Sequence, residues 1–220
     1  WSRGLGDVYK RQNRICASDS FFFQTLMTSS TYLHNLQEHL VLFESLHLLN
    51  DAVQQAVDAC VSALQSGGKI MLCGNGGSAA DSQHLAAEFT GRFTLDRKPL
   101  AALALSTDTS ALTCIANDYH FDEVFSRQVR ALGRSGDCLL AISTSGNSAN
   151  VCKAVEAARS LGVHCIGLLG RDGGKLKNLC DVSIVVPSPI TARIQEAHIL
   201  IGHSLCGAIE QQLGLVPGHG

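Results

Sequence analysis

The sequence lacks an excess of charge of either sign. Lysine and arginine number 17 against 19 aspartates and glutamates, a net charge of -2. No general cationic field draws in a nucleic-acid backbone or an anionic membrane, so any anionic ligand must be held by local groups. No apolar run approaches the roughly 20 residues that a membrane-spanning helix needs. Phe21 to Phe23 is far too short for the apolar core of a secretory leader. The nine cysteines are odd in number and include no CxxC pair, which speaks against a disulfide framework. Cys73, Cys138 and Cys165 sit inside apolar runs and read as small buried hydrophobes in a reducing cytosol. What is present, 45% hydrophobic and 16% charged residues in 220, fits a globular chain with one good-sized core.

Residues 1–30 show neither helical nor strand periodicity and are read as a disordered or non-native leader. Met27 looks like a natural start, which makes the residues before it upstream translation or an expression remnant. Residues 31–215 read as one domain and 216–220 as a flexible tail. Helical spacing runs from Tyr32 to about Ser66 through Leu36, Leu40, Phe43, Leu46 and Leu49, then Val53, Val57, Val61 and Leu64, with a break near Asn50. Short apolar runs follow at 69–74, 100–105, 138–143, 163–169 and 182–186, each the length of a strand buried on both faces. Amphipathic segments lie at about 78–91, 109–117, 121–132, 148–161 and 191–213. Alternating strands and helices predict an α/β fold: a single doubly wound parallel five-stranded sheet, flavodoxin-like, with helices on both faces and an N-terminal helical extension. The apolar stripe of that extension needs a partner, and another subunit is the natural one.

In such a sheet ligands bind beyond the carboxyl ends of the strands, where helix N-termini present free N–H groups. Two polar loops fall at that edge: Gly74-Asn75-Gly76-Gly77-Ser78 after the first strand and Ser143-Thr144-Ser145-Gly146-Asn147-Ser148 after the third. Either alone is what turns and N-caps prefer. Two on one edge suggest a cradle for a phosphate, held by hydroxyls and amides without a lysine. The first loop also matches a GxGxxA dinucleotide fingerprint, but the acidic residue expected after the next strand, Asp108, falls too far on. No GxSxG surrounds the serines.

His84 and Glu88 stand four apart on the helix that opens at the glycine loop, a spacing that suits metal ligands and is also common in surface pairs. The closing helix adds Gln195, Glu196, His198 and His203. Gln195 and His203 are separated by roughly 12 Å of helix axis, so a shared ion needs side chains that converge along the axis or a ligand from a neighbouring subunit, and the second is the working expectation. A carboxylate and an imidazole beside an anchored sugar phosphate meet the needs of proton transfer between adjacent carbons. Imidazole, carboxylate and amide oxygen together suit zinc.

The stretches CGNGGSAADSQHLAAEFTGRF, ANDYHFDEVFSRQV, LLAISTSGNSANV, GLLGRDGGKL and RIQEAHILIGH together resemble the phosphoheptose isomerases of the sugar isomerase (SIS) domain superfamily, over about residues 32–213. The resemblance implies conversion of sedoheptulose 7-phosphate into D-glycero-D-manno-heptose 7-phosphate for bacterial lipopolysaccharide precursors, in a cytoplasmic, zinc-dependent homotetramer with sites between subunits. It implies His84, Glu88, Gln195 and His203 as ligands of one zinc ion per subunit, with Glu88 and His203 also the catalytic base and acid. Asn75, Gly76, Gly77, Asn117, Asp118 and Gln195 match positions on the sugar chain, and Ser143, Thr144, Ser145 and Ser148 match the phosphate cradle. A relative without catalysis, which associates with the DnaA replication initiator, resembles ALSTDTSALTCIAND and RQVRALG at least as well. It lacks the acidic and imidazole pair matching Glu88 and His203, which this chain has, so the enzyme is the expected function. Neither reading involves direct contact with nucleic acid or a membrane.

Of the remaining polar residues, His34, His39 and His47 are expected to be exposed or subunit-facing, and His198 a satisfied interface histidine. Arg92 is expected in a surface ion pair and Glu196 outside the site. His120 departs from the small residue expected after Asn117-Asp118 in the isomerases, which puts the local loop geometry in question.

Overall fold

The computed structural model of the chain describes residues 30–217, so the leader reading for 1–29 and the tail reading for 218–220 lie outside the described residues. It divides into two units at Glu44 and Ser45. The first holds helix α1 (Thr31–Ser45), on which Leu42 is buried while Tyr32, Leu36, Leu40 and Val41 are exposed. The second opens with a single 3-10 turn, Leu46–Leu49, which is the expected break, and continues as α2 (Asn50–Gln65).

Five strands follow: β1 (Ile70–Gly74), β2 (Ala102–Ala104), β3 (Cys138–Ser143), β4 (His164–Gly170) and β5 (Val182–Val186). They form one parallel sheet in the order β2-β1-β3-β4-β5. β1 and β3 are buried at every position, the reason their sequences carry no polar alternation. The chain winds from β1 outward to β2, then returns to the other side of β1 as β3, so the connections diverge between β1 and β3. In an open α/β sheet that divergence leaves a crevice for ligands. Gly74 pairs with Ile142, so Asn75 and Ser143 leave the sheet side by side. At the opposite edge Asp137 accepts from the Lys69 N–H (3.0 Å), the Arg134 N–H (2.8 Å) and Lys69 Nζ (2.5 Å), which pins the entries to β1 and β3 together.

The helices are α3 (Gly77–Thr90), α4 (Thr109–Asp118), α5 (Ser126–Leu132), α6 (Ala149–Ser160), the single turn α7 (Leu176–Leu179) and α8 (Thr191–Gln212). One face of the sheet packs Met71, Cys73, Leu139 and Ala141 against Val151 and Val155 of α6 and Val129 of α5. The helix expected over 121–132 is instead a 3-10 turn (Phe121–Glu123) followed by α5. Val124 and Phe125 are both buried, and a continuous helix would turn these neighbours about 100° apart. His120 starts the turn in extended backbone, its Nδ1 accepting from the Asp122 N–H at 3.1 Å, so the residue that put the loop in question is what shapes it. Among the described residues every cysteine is free; Cys73, Cys138 and Cys165 are all buried, and burial pushes the Cys73 thiol up and that of Cys165 up to about 12, in keeping with their reading as small buried hydrophobes.

Candidate active site

β1 ends at Gly74, where a Cβ would sit 2.7 Å from the Ser78 Cβ, and Gly76 takes φ +56. Glycine at both places lets the chain fold from strand into α3 within three residues, so that α3 begins at the carboxyl end of β1. On the other side of the crevice β3 ends at Ser143. Its Oγ accepts from the Gly146 N–H and lies 3.1 Å from Ser148 Oγ. Ser145 Oγ accepts from the Asn147 N–H at 3.2 Å. Ser148 precedes α6 but makes no side-chain cap bond, so capping, the ordinary reason for a serine there, does not explain its hydroxyl.

Two features that sequence reasoning missed join and shape these loops. The Asn75 and Asn150 side-chain amides exchange two hydrogen bonds of 2.8 Å across the crevice, and Asn150 is 2% exposed. Asn150 looks like an ordinary first-turn asparagine of α6, and only its partner reveals the role. Gly146, at φ +65, would put a Cβ 2.0 Å from the Gly173 carbonyl oxygen. The turn after β4 thus moulds the serine loop, with the Leu176 N–H donating to Gly146 O and the Lys175 N–H to Asn147 Oδ1.

The ionisable cluster lies on α3 and α8. His84 Nε2 is 3.2 Å from Glu88 Oε1, and His203 Nε2 is 3.4 Å from His84 Nε2. Among the described residues these three are the group of His, Cys, Asp and Glu side chains close enough to one another that they could hold a metal ion. They meet because α8 approaches α3 at Gly202, where a Cβ would lie 2.6 Å from Leu85 Cδ1. All three come from one chain, whereas Gln195, the residue whose separation from His203 suggested a neighbour-supplied ligand, is not among them. Phe93 lies against the His203 ring, centroids 5.4 Å apart. Asp81, one turn before His84, was also missed, although the spacing 81, 84, 88 keeps it on the same face. Burial raises its carboxyl pKa, against the pull of His84 and His203, and its Oδ2 has no partner among the described residues.

Gln195 rests its amide on Gly77, where a Cβ would come within 2.2 Å of Nε2, so it reaches the loop end of α3. Asn117 and Asp118 are exposed at the end of α4 and bond locally, Asn117 Nδ2 to Asp118 Oδ1 at 2.8 Å and Cys114 Sγ to Asp118 Oδ2 at 3.4 Å. His198 is fully buried, its Nε2 2.9 Å from Leu169 O, and is a core residue rather than an interface one. Glu196 pairs with Arg193 and Arg92 is exposed. Asp108 caps α4, accepting from the Ala111 N–H at 2.9 Å, which leaves the dinucleotide fingerprint without its ribose ligand.

A parallel α/β sheet with a hydroxyl-lined loop and a glycine loop flanking its crevice defines a SIS-domain protein, and the SIS domain family model matches residues 31–170. Its curated relatives include the phosphoheptose isomerase of Helicobacter hepaticus, 53% identical over 191 residues covering 87% of this chain and 95% of that protein. That of Rhodospirillum rubrum is 57% identical over 162 residues, covering 74% and 86%. Among solved structures, a phosphoheptose isomerase from Neisseria gonorrhoeae superposes with a TM-score of 0.77 at 52% identity, covering 81% of this chain and 96% of that one. The chain belongs to the phosphoheptose isomerase family.

Proposed function

We propose that this protein converts sedoheptulose 7-phosphate into D-glycero-D-manno-heptose 7-phosphate, as a cytoplasmic homotetramer that supplies heptose for bacterial lipopolysaccharide precursors. The observation that carries the reading is the convergence of Glu88 and His203 from widely separated helices, in a domain whose sheet edge is built to hold an anion. The hydroxyls of Ser143, Thr144, Ser145 and Ser148 hold the phosphate, while Asn75, Gly76, Gly77 and Gln195, with Asn117 and Asp118, hold the sugar chain. Glu88 takes the proton from C1, next to the C2 carbonyl, as protonated His203 gives one to the carbonyl oxygen, which leaves the enediol. Glu88 then delivers its proton to C2 while His203 takes that of the C1 hydroxyl, which leaves the aldehyde and restores both groups.

The donor set fits zinc. His84, Glu88 and His203 keep two imidazole nitrogens and a carboxylate oxygen within 4.8 Å of one another, donors of the kind that zinc takes. His84, Glu88, Gln195 and His203 would hold the ion, whose chemistry when bound is to polarise the substrate carbonyl. Glu88 has two carboxylate oxygens, of which Oε1 faces His84, so one oxygen would be available to an ion and the other to the substrate proton. The replication-initiator alternative is not favoured, since the relatives at over 50% identity carry the isomerase name.

The test is turnover of sedoheptulose 7-phosphate by purified protein with and without a chelator. Glu88→Gln and His203→Ala are each expected to lose about 10²- to 10⁴-fold in kcat with the fold retained. The chelated protein is expected to regain activity when zinc is restored. Full turnover by Glu88→Gln would remove that carboxylate from the mechanism.

A further inference from the structure

A buried ion pair joins the two helices that carry the cluster. Arg97, in the segment after α3, donates from Nε to Glu210 Oε1 of α8 at 2.7 Å, and both side chains are 1% exposed. The same guanidinium donates from Nη2 to Glu88 O (2.7 Å) and from Nη1 to Phe89 O (2.8 Å), Gly91 O (3.0 Å) and Lys98 O (3.2 Å). The last carbonyls of a helix have no partners within it. Here one planar fork takes two of them, those of Phe89 and of Glu88 itself. At its other end Glu210 Oε1 accepts from the Phe93 N–H at 3.3 Å, and the Phe93 ring lies against His203.

A buried ion pair is a poor way to gain stability, because an apolar pair of similar volume does as well or better. What an apolar pair cannot do is hold a carboxylate and a set of helix-end carbonyls at fixed angles. We infer that Arg97 and Glu210 are positioning residues that hold Glu88 and His84 on α3 in register with His203 on α8. The inference rests on the cluster being the metal-binding and proton-transferring centre proposed above. The route is through contacts already described: guanidinium to the Glu88 backbone on one side, Glu210 to Phe93 to the His203 ring on the other.

The experiment compares Arg97→Lys, Glu210→Gln and the double variant Arg97→Met with Glu210→Leu against the unmodified protein. The readouts are far-UV circular dichroism, zinc affinity of the metal-free protein by competition with a chromophoric chelator, and kcat and KM for sedoheptulose 7-phosphate. Zinc affinity is expected to fall about 10- to 100-fold. kcat should fall with it, while KM stays within about two-fold. The double variant buries no unpaired charge and is expected to fold even if the single ones do not. A folded double variant with unchanged zinc affinity and kcat overturns the inference. Phe93→Leu leaves the ion pair intact and supplies an independent reading: loss of zinc affinity and kcat supports the route to His203, and no change in either refutes it. If the unmodified protein binds zinc but does not turn over the heptulose phosphate, the proposed function fails while the zinc affinities still decide the positioning role.

Discussion

His198 and His203 lie on the same helix with opposite surroundings. His203 faces His84 and Phe93 at the cluster, whereas His198 is sealed in the core against Leu169 O. Burial lowers the His198 pKa from 6.5 to about 4, partly offset by that hydrogen bond. Because the folded value lies below the unfolded one, the unfolded chain binds the extra proton between those limits. Stability therefore rises with pH through this window and is lost on acidification, by up to on the order of 3 kcal/mol. His198→Gln is expected to flatten the dependence. Urea midpoints at pH 7 and pH 5 should draw apart more for the unmodified protein than for the variant, and equal separations would refute the assignment. At this scale the sequence was partly legible. The HxxxE spacing marked His84 and Glu88, and polar density on an otherwise apolar helix marked His203. Asp81 and Asn150 escaped because their importance lies in a buried oxygen and a reciprocal partner, neither of which leaves a periodic signal.

The loops are held by backbone against backbone, and so have little tolerance for added atoms. At Gly146 an alanine would meet both a left-handed φ of +65 and a carbonyl oxygen 2.0 Å away. Left-handed strain alone costs about 1–3 kcal/mol, and the clash adds to it unless the serine loop moves. Gly146→Ala is expected to raise KM for the sugar phosphate about tenfold or more, on that strain energy, with a smaller change in kcat. A KM unchanged by the substitution would mean that this loop does not hold the phosphate. Asn150→Ala leaves the Asn75 amide without its partner, a cost of about 1–3 kcal/mol. It should lower the melting temperature and raise KM together. The strands were readable as elements because burial on both faces erases polar alternation. α7 was not, since one turn is too short for a helical period, and the break at 121–125 was not, since tertiary burial of Val124 and Phe125 overrode the local pattern.

For the whole molecule, the single parallel sheet and the placement of the two loops at the strand ends followed from the alternation of apolar runs and amphipathic segments. What one chain's sequence could not supply is the address of Asn117 and Asp118. They are exposed and, among the described residues, their side chains bond within their own helix and to one another, yet the family resemblance assigns them to the sugar chain. The homotetramer with sites between subunits proposed above would reconcile the two, one subunit's α4 completing a site built on another's α3 and α8. The exposed Tyr32, Leu40 and Val41 of α1 give such an assembly apolar surface to bury. Light scattering of the unmodified protein is expected to give four chains, and Leu40→Glu with Val41→Glu a smaller species with reduced turnover. Shared sites make a sharper prediction for mixtures. Glu88→Gln and Asp118→Ala should each be nearly inactive alone. Co-expressed, they form hybrids in which some sites take an intact Glu88 from one chain and an intact Asp118 from the other, and turnover rises above either parent. Were both residues to serve a site within one chain, every hybrid site would carry one lesion and no recovery could occur, so the mixture decides between the two arrangements whatever the size of the oligomer.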